Sequence, residues 1–445
     1  MSYNDIQCQA IIQDLDHFSQ ASIAKLILCR YPNTFKCTSI VHNMWYQFKN
    51  HRWMEVNGAI CLHVIISSQI IHAYEEYASK ELQCINQINK IAIIIKQLGS
   101  AAFRSGIIRI CRDLAYDSYF LNKLDENKNL ICFNNGVYDL EANIFRDGKP
   151  DDYISSCTNY DYVKHDSNSQ HYNDVVTYFE KLQPNAEMRE YLMAVLSSCL
   201  AGSTDKKLYI FHGLGLSGLS RLTKLMKQVL GDLAKSIWIT GLTNLKGVRM
   251  CIADHDEDID NIFNTKKSQF TSLLICNDLP TIKITDDMPE IKVIPFRTKF
   301  ISKFNGLPGI NQCYADNNLD NKLPEWRGLL MSMLIDYHRK YRTNRLICPD
   351  LVIQSTQAYL TQCANKPDIY YNFIEECLEK TEDAGNSISI NIIYELMRKW
   401  YRYNFGGKCP RTVELRNYIA SSMADSYDLR YDILIGYTFK PNRIC

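Results

Sequence analysis

A glycine-rich turn between a short apolar run and a helical segment constrains the fold of this 445-residue chain more than any other feature. The turn reads Gly213-Leu-Gly-Leu-Ser-Gly218-Leu219-Ser220, shortly after the apolar run 208–211. Glycines spaced in this way between a strand and a helix form loops whose backbone N–H groups hold phosphate at a helix N-terminus. The turn therefore predicts an α/β fold with a nucleotide site. Its candidate nucleotide-binding residues are Gly213, Gly215, Ser217, Gly218, Leu219 and Ser220.

Leu219 stands where such a loop carries its phosphate-binding lysine. In a complete loop that lysine neutralises the β- and γ-phosphates, and the next hydroxyl, here Ser220, binds Mg²⁺. Arg221 is expected to point elsewhere, because two residues of an α-helix turn through about 200°. Loss of one charge-assisted interaction typically costs a few kcal/mol of charge stabilisation. We therefore expect weak ATP binding and weaker hydrolysis. The alternative is a glycine-rich strand–helix turn that binds no phosphate.

Composition excludes several other classes of protein. The chain has 50 basic and 49 acidic residues, so its net charge favours no particular partner, and nucleic-acid binding would need a local basic patch. None of its 17 cysteines forms a Cys-x-x-Cys pair, which argues against a zinc site and a disulfide framework. The longest apolar stretch, 59–71, is too short to span a bilayer. These features predict a soluble protein of a reducing compartment that is not secreted.

Short apolar runs with polar ends continue after the turn, at 250–253, 273–276 and 292–296. The first is followed by the acids Asp254, Asp256 and Glu257, and the second by Asn277. A strand, a glycine-rich turn, a helix and then strands that end in acids and in asparagine are typical of a parallel-sheet NTPase.

Segments along almost the whole chain carry a resemblance to a known family. They are Trp45-Tyr-Gln-Phe-Lys-Asn-His-Arg-Trp53, Leu130-Ile-Cys-Phe-Asn-Asn-Gly-Val-Tyr-Asp-Leu140, Leu273-Leu-Ile-Cys-Asn-Asp-Leu-Pro280, Val293-Ile-Pro-Phe296 and Tyr314-Ala-Asp-Asn-Asn-Leu-Asp-Asn-Lys-Leu323. Together they resemble the poxvirus-type primase–helicases of nucleocytoplasmic large DNA viruses, which contain a superfamily 3 helicase. Because residue 1 lies near the start of the matching region, we expect the helicase half alone, without a preceding primase domain.

The resemblance implies roles for the polar residues. Asp254 would hold Mg²⁺ together with Ser220, and Asp256 or Glu257 would polarise the attacking water. Asn277 would contact the γ-phosphate or that water. The family's cofactors are ATP and Mg²⁺, and Leu219 places both in doubt here. Alternatively, the three acids form a solvated acidic turn, and Asn277 caps a helix or a turn.

Three departures from the family bear on activity. Leu219 replaces the lysine, and Pro289 and Glu290 stand where the family has its arginine finger. Only 23 positions separate Asp254 from Asn277, where the family has a longer segment with a DNA-gripping hairpin. We therefore expect a non-catalytic scaffold or regulator. The alternatives are an active but divergent ATP-dependent DNA helicase and a decaying duplicate without a retained role.

A basic and aromatic segment at 396–416 is the candidate DNA-binding region, because phosphate neutralisation and base stacking need such side chains. Its candidate residues are Arg398, Lys399, Arg402, Lys408 and Arg411. The family has a winged-helix-like domain here. The alternative is an amphipathic helix with aromatics such as Trp400 and Tyr403 in its core.

The predicted architecture is α/β. A helical N-terminal domain (1–180) precedes a RecA/AAA+-like parallel-sheet core (181–345) and a small winged-helix-like domain (346–445). The expected partners are an intact helicase subunit or DNA, with a ring-type homo-oligomer as a further expectation and no membrane. The family context predicts a location in the viral factory of the host cytoplasm or in the virion.

Overall fold

The computed structural model describes residues 3–81, 84–201, 207–236, 245–253, 270–280, 282, 288–302, 307–343, 347–365, 369–381, 385–405 and 409–440. The chain divides into two compact units, one of residues 1–280 and 285–357 and the other of 281–284 and 358–445. The finer division at residues 180 and 345 stays a prediction.

The first part of the larger unit is mainly helical and contains an antiparallel sheet of order β1-β2-β3. Its helices are α1 (Tyr3–Gln13), α2 (Gln20–Arg30), α3 (Ile60–Val64), α4 (Ile71–Glu81), α5 (Ile85–Gly99), α6 (Ala101–Leu114) and α7 (Phe120–Lys123), with a π-helical turn at Ile65–Ile70. Its strands are β1 (Phe35–Ser39), β2 (Met44–Lys49) and β3 (Arg52–Asn57).

The aromatic segment 45–53 forms the β2–β3 hairpin. Asn50 and His51 connect the strands and both have positive φ, as a two-residue hairpin turn requires. Trp45 and Trp53 are buried, so the hairpin contributes to the core. Of the helices that the structure describes, none alone is long and apolar enough to cross a membrane. Only α5 and α6 together meet that test, with an 80° bend between them.

A second small antiparallel sheet, of order β4-β5-β6, and two helices lead into the central sheet. These elements are β4 (Leu130–Phe133), β5 (Gly136–Asp139), β6 (Ile144–Arg146), α8 (Gln170–Leu182) and α9 (Ala186–Ser198). Ser169 and Asn185 cap the N-termini of α8 and α9 by accepting hydrogen bonds from backbone N–H groups.

The centre of the larger unit is a five-stranded parallel sheet of order β11-β7-β10-β9-β8 among the described residues. Its elements are β7 (Lys207–His212), α10 (Leu219–Leu230), β8 (Ala234–Ser236), β9 (Met250–Ala253), β10 (Thr271–Cys276) and β11 (Glu290–Pro295). The sheet confirms the predicted α/β class and the strands expected at 208–211, 250–253, 273–276 and 292–296. Since the strands are parallel, the carboxyl ends of β7, β10 and β11 meet at one edge, which we call the carboxyl edge.

Helices and a short parallel ladder complete the larger unit. They are β12 (Lys299–Ile301), β13 (Gln312–Tyr314), α11 (Leu319–Thr343) and α12 (Asp350–Asn365), the last of which runs into the second unit. Side chains of α8, α9, α10 and α11 share one apolar core with the sheet. This core holds Leu219 and Trp326, which are 3% and 2% exposed.

The smaller unit has a core of its own. Its elements are α13 (Ile369–Cys377), β14 (Leu378–Lys380), β15 (Ser387–Ser389), α14 (Ile390–Asn404), α15 (Thr412–Ser422), β16 (Tyr427–Asp428), β17 (Ile433–Ile435) and β18 (Tyr437–Phe439). The strands form a three-stranded antiparallel sheet of order β15-β17-β16 and the separate pair β14–β18.

Candidate ligand site beside the glycine-rich turn

The glycine-rich turn joins β7 to α10 at the carboxyl edge of the parallel sheet. Gly213 N–H donates to the carbonyl oxygen of Cys276 at 3.2 Å, and Phe300 N–H donates to that of Leu216 at 2.9 Å. Gly218 has a φ of +85°, which favours glycine because other residues rarely adopt the left-handed region. The turn is therefore attached to β10 on one side and to β12 on the other.

Leu219, at the lysine position, is buried rather than extended towards solvent. It is 3% exposed and belongs to the core between α10 and the sheet. A Cβ atom placed on Gly213 would lie only 3.2 Å from Leu219 Cδ1, so the leucine folds back against the first glycine of the turn. Leu214 and Leu216 at the tip are 73% and 63% exposed. The side chains at these three positions are all apolar.

The serines of the turn differ in their exposure. Ser217 is buried, and its Oγ would lie 2.7 Å from a Cβ atom on Gly213. Ser220 is exposed in the first turn of α10. Ser217 therefore contributes to the packing of the turn, whereas the hydroxyl of Ser220 is open to solvent.

The cations nearest to the turn on α10 are paired with an acid of α11. Lys224 Nζ lies 2.9 Å from Asp320 Oδ1, and Arg221 Nη2 lies 3.6 Å from Asp320 Oδ2. The hydrogen bond from Lys224, together with the charge of Arg221, holds the pKa of Asp320 below its usual value. Arg221 thus lies beside the turn but is directed to a carboxylate.

Asn277 directly follows β10 and is exposed at the carboxyl edge. His212 Nε2 lies 3.0 Å from the backbone carbonyl oxygen of Asn277. A carbonyl oxygen can only accept, so Nε2 of His212 carries the proton. This bond fixes Asn277 beside the turn. The acids Asp254, Asp256 and Glu257 lie outside the described residues.

A cavity of about 370 Å³ opens beside the turn. Its aromatic wall consists of Tyr178, Phe300, Tyr314 and Trp326. Leu216, Gly218 and Arg221 close it on the side of the turn. The sequence does not reveal this cavity, because its aromatic residues come from four separate elements and follow no common spacing.

Two buried polar atoms on the aromatic wall have no hydrogen-bond partner within the described residues. They are the hydroxyl of Tyr178 and Nε1 of Trp326. The two rings contact each other, with centroids 5.7 Å apart. Burial raises the pKa of Tyr178, so the phenol is neutral and can donate. Buried polar groups without partners are uncommon in folded proteins, and each calls for a physical explanation.

Two features of the described residues bear on the binding of a magnesium-bound triphosphate. The lysine position holds an apolar side chain in the core, and Arg221 and Lys224 are paired with Asp320. No cluster of three or more His, Cys, Asp or Glu side chains could hold a metal ion within the described ranges. The ligand roles of Ser220 and Asp254 towards Mg²⁺ therefore stay predictions.

Pro289 and Glu290 stand at the predicted position of the arginine finger, at the opposite edge of the sheet from the turn. Glu290 begins β11 opposite Lys207, at the start of β7. Its carboxylate lies 2.9 Å from Lys292 Nζ and 3.9 Å from Lys207 Nζ. Arg297 is exposed and follows β11 at the carboxyl edge.

The candidate DNA-binding residues lie in the smaller unit. Lys399 and Arg402 are exposed on α14, Arg398 forms an ion pair with Glu395 at 3.0 Å, and Arg411 is exposed at the start of α15. Lys408 lies outside the described residues.

The aromatic residues of α14 are divided between core and surface. Trp400 is buried, and its Nε1–H donates to Glu376 at 3.0 Å. Tyr403 is 80% exposed and Phe405 48% exposed. The core position considered for Trp400 is confirmed, and the one considered for Tyr403 is wrong.

Comparison with known proteins identifies relatives. Residues 24–195 match the family described as "D5 N terminal like". The chain is 37% identical over 495 residues to the putative helicase L207/L206 of Acanthamoeba polyphaga mimivirus, which covers 98% of this chain and 51% of that protein. It is 26% identical over 374 residues to the putative helicase 121R of Invertebrate iridescent virus 3, with coverages of 71% and 39%. The chain thus spans about half of these relatives or less.

The apo C-terminal region of NrS-1 aligns with 95% of this chain and 99% of its own length, at 9% identity and a TM-score of 0.40. A TM-score below 0.5 establishes no shared fold. The family assignment therefore depends on the sequence matches, which confirm the resemblance carried by the segments between Trp45 and Leu323. Residues 24–195 therefore carry a D5 N-terminal-like domain, and the chain is a relative of putative helicases of large DNA viruses.

Proposed function

We propose that this chain is a replication-associated viral protein that has lost ATP hydrolysis and unwinding and acts as a scaffold or regulator. The observation that carries the proposal is the burial of Leu219 against Gly213, at the position of the phosphate-binding lysine. A buried leucine supplies no charge to the β- and γ-phosphates, whose transfer depends on electrostatic stabilisation. The expected role is docking onto an intact helicase subunit or onto DNA.

The surroundings of the turn support the same conclusion. Arg221 would have to leave Asp320 to reach a phosphate, and its departure would leave Lys224 as the partner of that carboxylate. Leu214 and Leu216 extend apolar side chains at the tip, where they offer no donor to a phosphate oxygen. A triphosphate carries about four negative charges, and none of these side chains would stabilise them.

The test is an ATP-turnover assay on the purified chain with Mg²⁺, beside its Asp254→Ala variant. We expect the same background rate for both proteins. Mg²⁺-dependent turnover that disappears in Asp254→Ala would contradict the proposal, because that carboxylate would then serve a working site. Asp425→Ala, in the smaller unit, is the matched control for removal of one carboxylate.

The alternative is an active but divergent ATPase or helicase. Gly218 retains the left-handed conformation, and Ser220 is exposed in the first turn of α10, where a Mg²⁺-binding hydroxyl would stand. Asn277 also lies at the same edge of the sheet. These features are expected of an active ATPase, but also of an inherited fold that no longer hydrolyses ATP. The same ATP-turnover assay separates these two possibilities.

The finer architecture is part of the proposal. A RecA/AAA+-like core is supported by the strand order β11-β7-β10-β9-β8, in which the strand before the turn lies between the last strand and the strand before Asn277. Two features support a winged-helix-like C-terminal domain. Its sheet has the order β15-β17-β16, and the helices α14 and α15 lie between β15 and β16 along the chain. An experimental structure of the full chain would test both assignments.

DNA binding by the smaller unit is a second candidate function. It is favoured by the exposed cations Lys399 and Arg402 on the same helix as the exposed ring of Tyr403. Ring faces stack on bases, and cations neutralise phosphates. We expect the full chain to bind a single-stranded oligonucleotide with an affinity that falls as salt rises.

Fluorescence anisotropy at several salt concentrations tests this function. The double variant Lys399→Ala/Arg402→Ala should lower the salt slope by about 1 for each phosphate that is no longer neutralised. Lys380→Ala, a surface lysine of the same unit, is the control and should leave the slope unchanged. If the wild type and the double variant bind the oligonucleotide equally, Lys399 and Arg402 do not contact its phosphates.

The remaining proposals concern assembly and location. We expect either a ring-type homo-oligomer or a complex with an intact helicase subunit, located in the viral factory of the host cytoplasm or in the virion. Sedimentation of the purified chain measures its oligomeric state. The complex is tested by purifying the tagged chain from infected cells. We expect the virus's intact helicase to be purified with it.

A further inference from the structure

We infer that Cys8 and Cys29 form a reversible disulfide that attaches α1 to α2 when the surrounding thiol pool becomes oxidised. Cys8 lies on α1, and Cys29 lies in the last turn of α2. Both thiols are partly exposed, so small oxidants in solution can reach them. ATP hydrolysis and DNA binding take no part in this reaction, so its absence would leave the proposed function unaffected.

The geometry of α1 and α2 brings the two thiols together. The helices pack against each other, and the Cys29 thiol is hydrogen-bonded to that of Cys8. Cys29 Sγ also lies 3.5 Å from the carbonyl oxygen of Asn4 and 3.6 Å from Oε1 of Gln7. In an α-helix the carbonyl oxygen of Asn4 accepts the backbone N–H four residues later, which is that of Cys8. The sulfur of Cys29 therefore lies over the turn of α1 that carries Cys8.

Other cysteines of the chain are less accessible than this pair. Burial raises the pKa of Cys111, Cys199 and Cys251 to about 12, so these thiols are protonated and unreactive at neutral pH. Cys132 and Cys157 are also hydrogen-bonded to each other, but both are 0% exposed, so a small disulfide in solution does not reach either sulfur in the folded protein. Proximity and accessibility together therefore favour Cys8 and Cys29.

The reaction is thiol–disulfide exchange with a small disulfide such as oxidised glutathione. Burial and the hydrogen bond with Cys29 raise the pKa of Cys8 to about 11, so Cys8 is protonated at pH 7 and Cys29 reacts first. The Cys29 thiol loses its proton, its thiolate attacks one sulfur of the small disulfide, and one glutathione thiolate leaves.

Cys8 completes the exchange. Its thiol loses its proton and attacks Cys29 Sγ, which forms the protein disulfide and displaces the second glutathione thiolate. The two leaving thiolates take up the two protons, so the protein loses two electrons and the small disulfide gains them. This step is intramolecular, and the contact between the two thiols compensates for the small thiolate fraction of Cys8.

The disulfide would fix α1 to the core beneath it. Ile11 and Ile12 follow Cys8 on α1 and pack against the apolar core of the first part of the larger unit, whereas Ile6 on the same helix is 56% exposed. A cross-link that closes a loop of about 20 residues restricts the unfolded chain and opposes local detachment of the helix. Because a reducing compartment keeps such thiols reduced, the cross-link would respond to a change in the redox state of the compartment.

Incubation of the full chain with mixtures of reduced and oxidised glutathione, followed by alkylation and peptide mass mapping, tests the inference. We expect two peptides cross-linked through Cys8 and Cys29, which dithiothreitol separates, whereas the exposed Cys84 forms only a mixed disulfide with glutathione. Amide hydrogen exchange in α1 should be about tenfold slower in the oxidised chain than in the reduced chain.

Matched serine variants complete the test. Cys8→Ser and Cys29→Ser should each abolish the cross-link and the slower exchange, and Cys84→Ser, the control, should change neither. A thermal melt verifies that each variant is folded, and the mapping of the wild type decides the outcome even if one variant does not fold.

Three results would overturn the inference. The first is that Cys8 and Cys29 stay free, or carry separate glutathione adducts, under conditions in which Cys84 is fully modified. The second is a cross-link that persists in Cys8→Ser or Cys29→Ser, because it would then join other cysteines. The third is unchanged hydrogen exchange in α1 after oxidation, which would show that the disulfide does not attach the helix.

Discussion

Leu219 packs against the backbone of Gly213: its Cδ1 would stand 3.2 Å from a Cβ atom on that glycine. The first glycine of the turn and the first residue of α10 are therefore in direct apolar contact. The contact is apolar and lies at the position where a phosphate-binding loop carries its lysine.

Restoring a lysine at Leu219 should therefore destabilise the protein. An ammonium group at a position that is 3% exposed loses hydration without a partner, so we expect Leu219→Lys to lower the free energy of unfolding by roughly 2–4 kcal/mol. Leu219→Met keeps the apolar volume and should cost less than about 1.5 kcal/mol. Urea unfolding measures both. If Leu219→Lys is as stable as Leu219→Met and is further stabilised by ATP, the phosphate site is intact and only its cation is missing.

Two glycines of the turn should respond differently to alanine. At Gly218 the φ of +85° is unfavourable for alanine, and its Cβ would lie 2.8 Å from Phe300 Cε2 and 3.0 Å from Leu182 Cδ1. We expect Gly218→Ala to lower the free energy of unfolding by roughly 2–4 kcal/mol. Gly215 has nothing within 4 Å of such an atom, so Gly215→Ala should change stability by less than about 1 kcal/mol. Equal effects in the same unfolding assay would refute this description of the turn.

The parallel sheet was predictable because strands buried on both faces are continuous apolar runs. The runs 208–211 and 273–276 are of this kind and became the paired strands β7 and β10. The strand β8, Ala234–Ser236, was not predicted, because its three residues include a lysine and a serine and form no apolar run. Short edge strands depend on pairing with a neighbour, here β9, and that information is not local.

The site was predictable only in part, for a similar reason. The turn was recognised because its residues are contiguous. The aromatic wall of the cavity was not, because Tyr178 on α8 and Trp326 on α11 meet only after the helices pack. Helical spacing also failed at Tyr403, three residues after the buried Trp400. Since α14 ends at Asn404, its last turn has fewer neighbours to cover that face.

Two buried tyrosines of the larger unit should respond in opposite directions to removal of their hydroxyls. The Tyr160 hydroxyl donates to the Val229 carbonyl oxygen at 2.6 Å, near the end of α10, whereas that of Tyr178 has no partner within the described residues. We expect Tyr160→Phe to lower the free energy of unfolding by roughly 1–3 kcal/mol, because it leaves a buried carbonyl unsatisfied. Tyr178→Phe should raise it by about 1 kcal/mol, because it removes a buried unpartnered group. Urea unfolding without ligand measures both, and a decrease in Tyr178→Phe as large as in Tyr160→Phe would mean that its hydroxyl has a partner.

The carboxylate of Glu190 on α9 accepts hydrogen bonds from three residues of α11. The donors are the Tyr337 hydroxyl, at 2.9 Å, the Lys340 ammonium and the Tyr341 hydroxyl. Burial alone would raise the pKa of Glu190, but the hydrogen bonds from Lys340, Tyr341 and Tyr337 lower it overall. The ionised form is therefore favoured by the folded protein.

This lowered pKa gives the packing of α9 against α11 a defined pH dependence. A carboxyl group with a lower pKa in the folded state stabilises the fold above its unfolded pKa, about 4.3 for Glu, and the contribution is lost as pH falls through the folded value. We expect wild type to be more stable than Glu190→Gln at pH 7, with a difference that shrinks steadily from pH 5 towards pH 3. Thermal melts across this range measure it, and Glu325→Gln, at an exposed position of α11, is the control. A difference that stays constant with pH would show that Glu190 contributes through packing and not through its charge, because only a contribution from the ionised form changes as the carboxyl group is protonated.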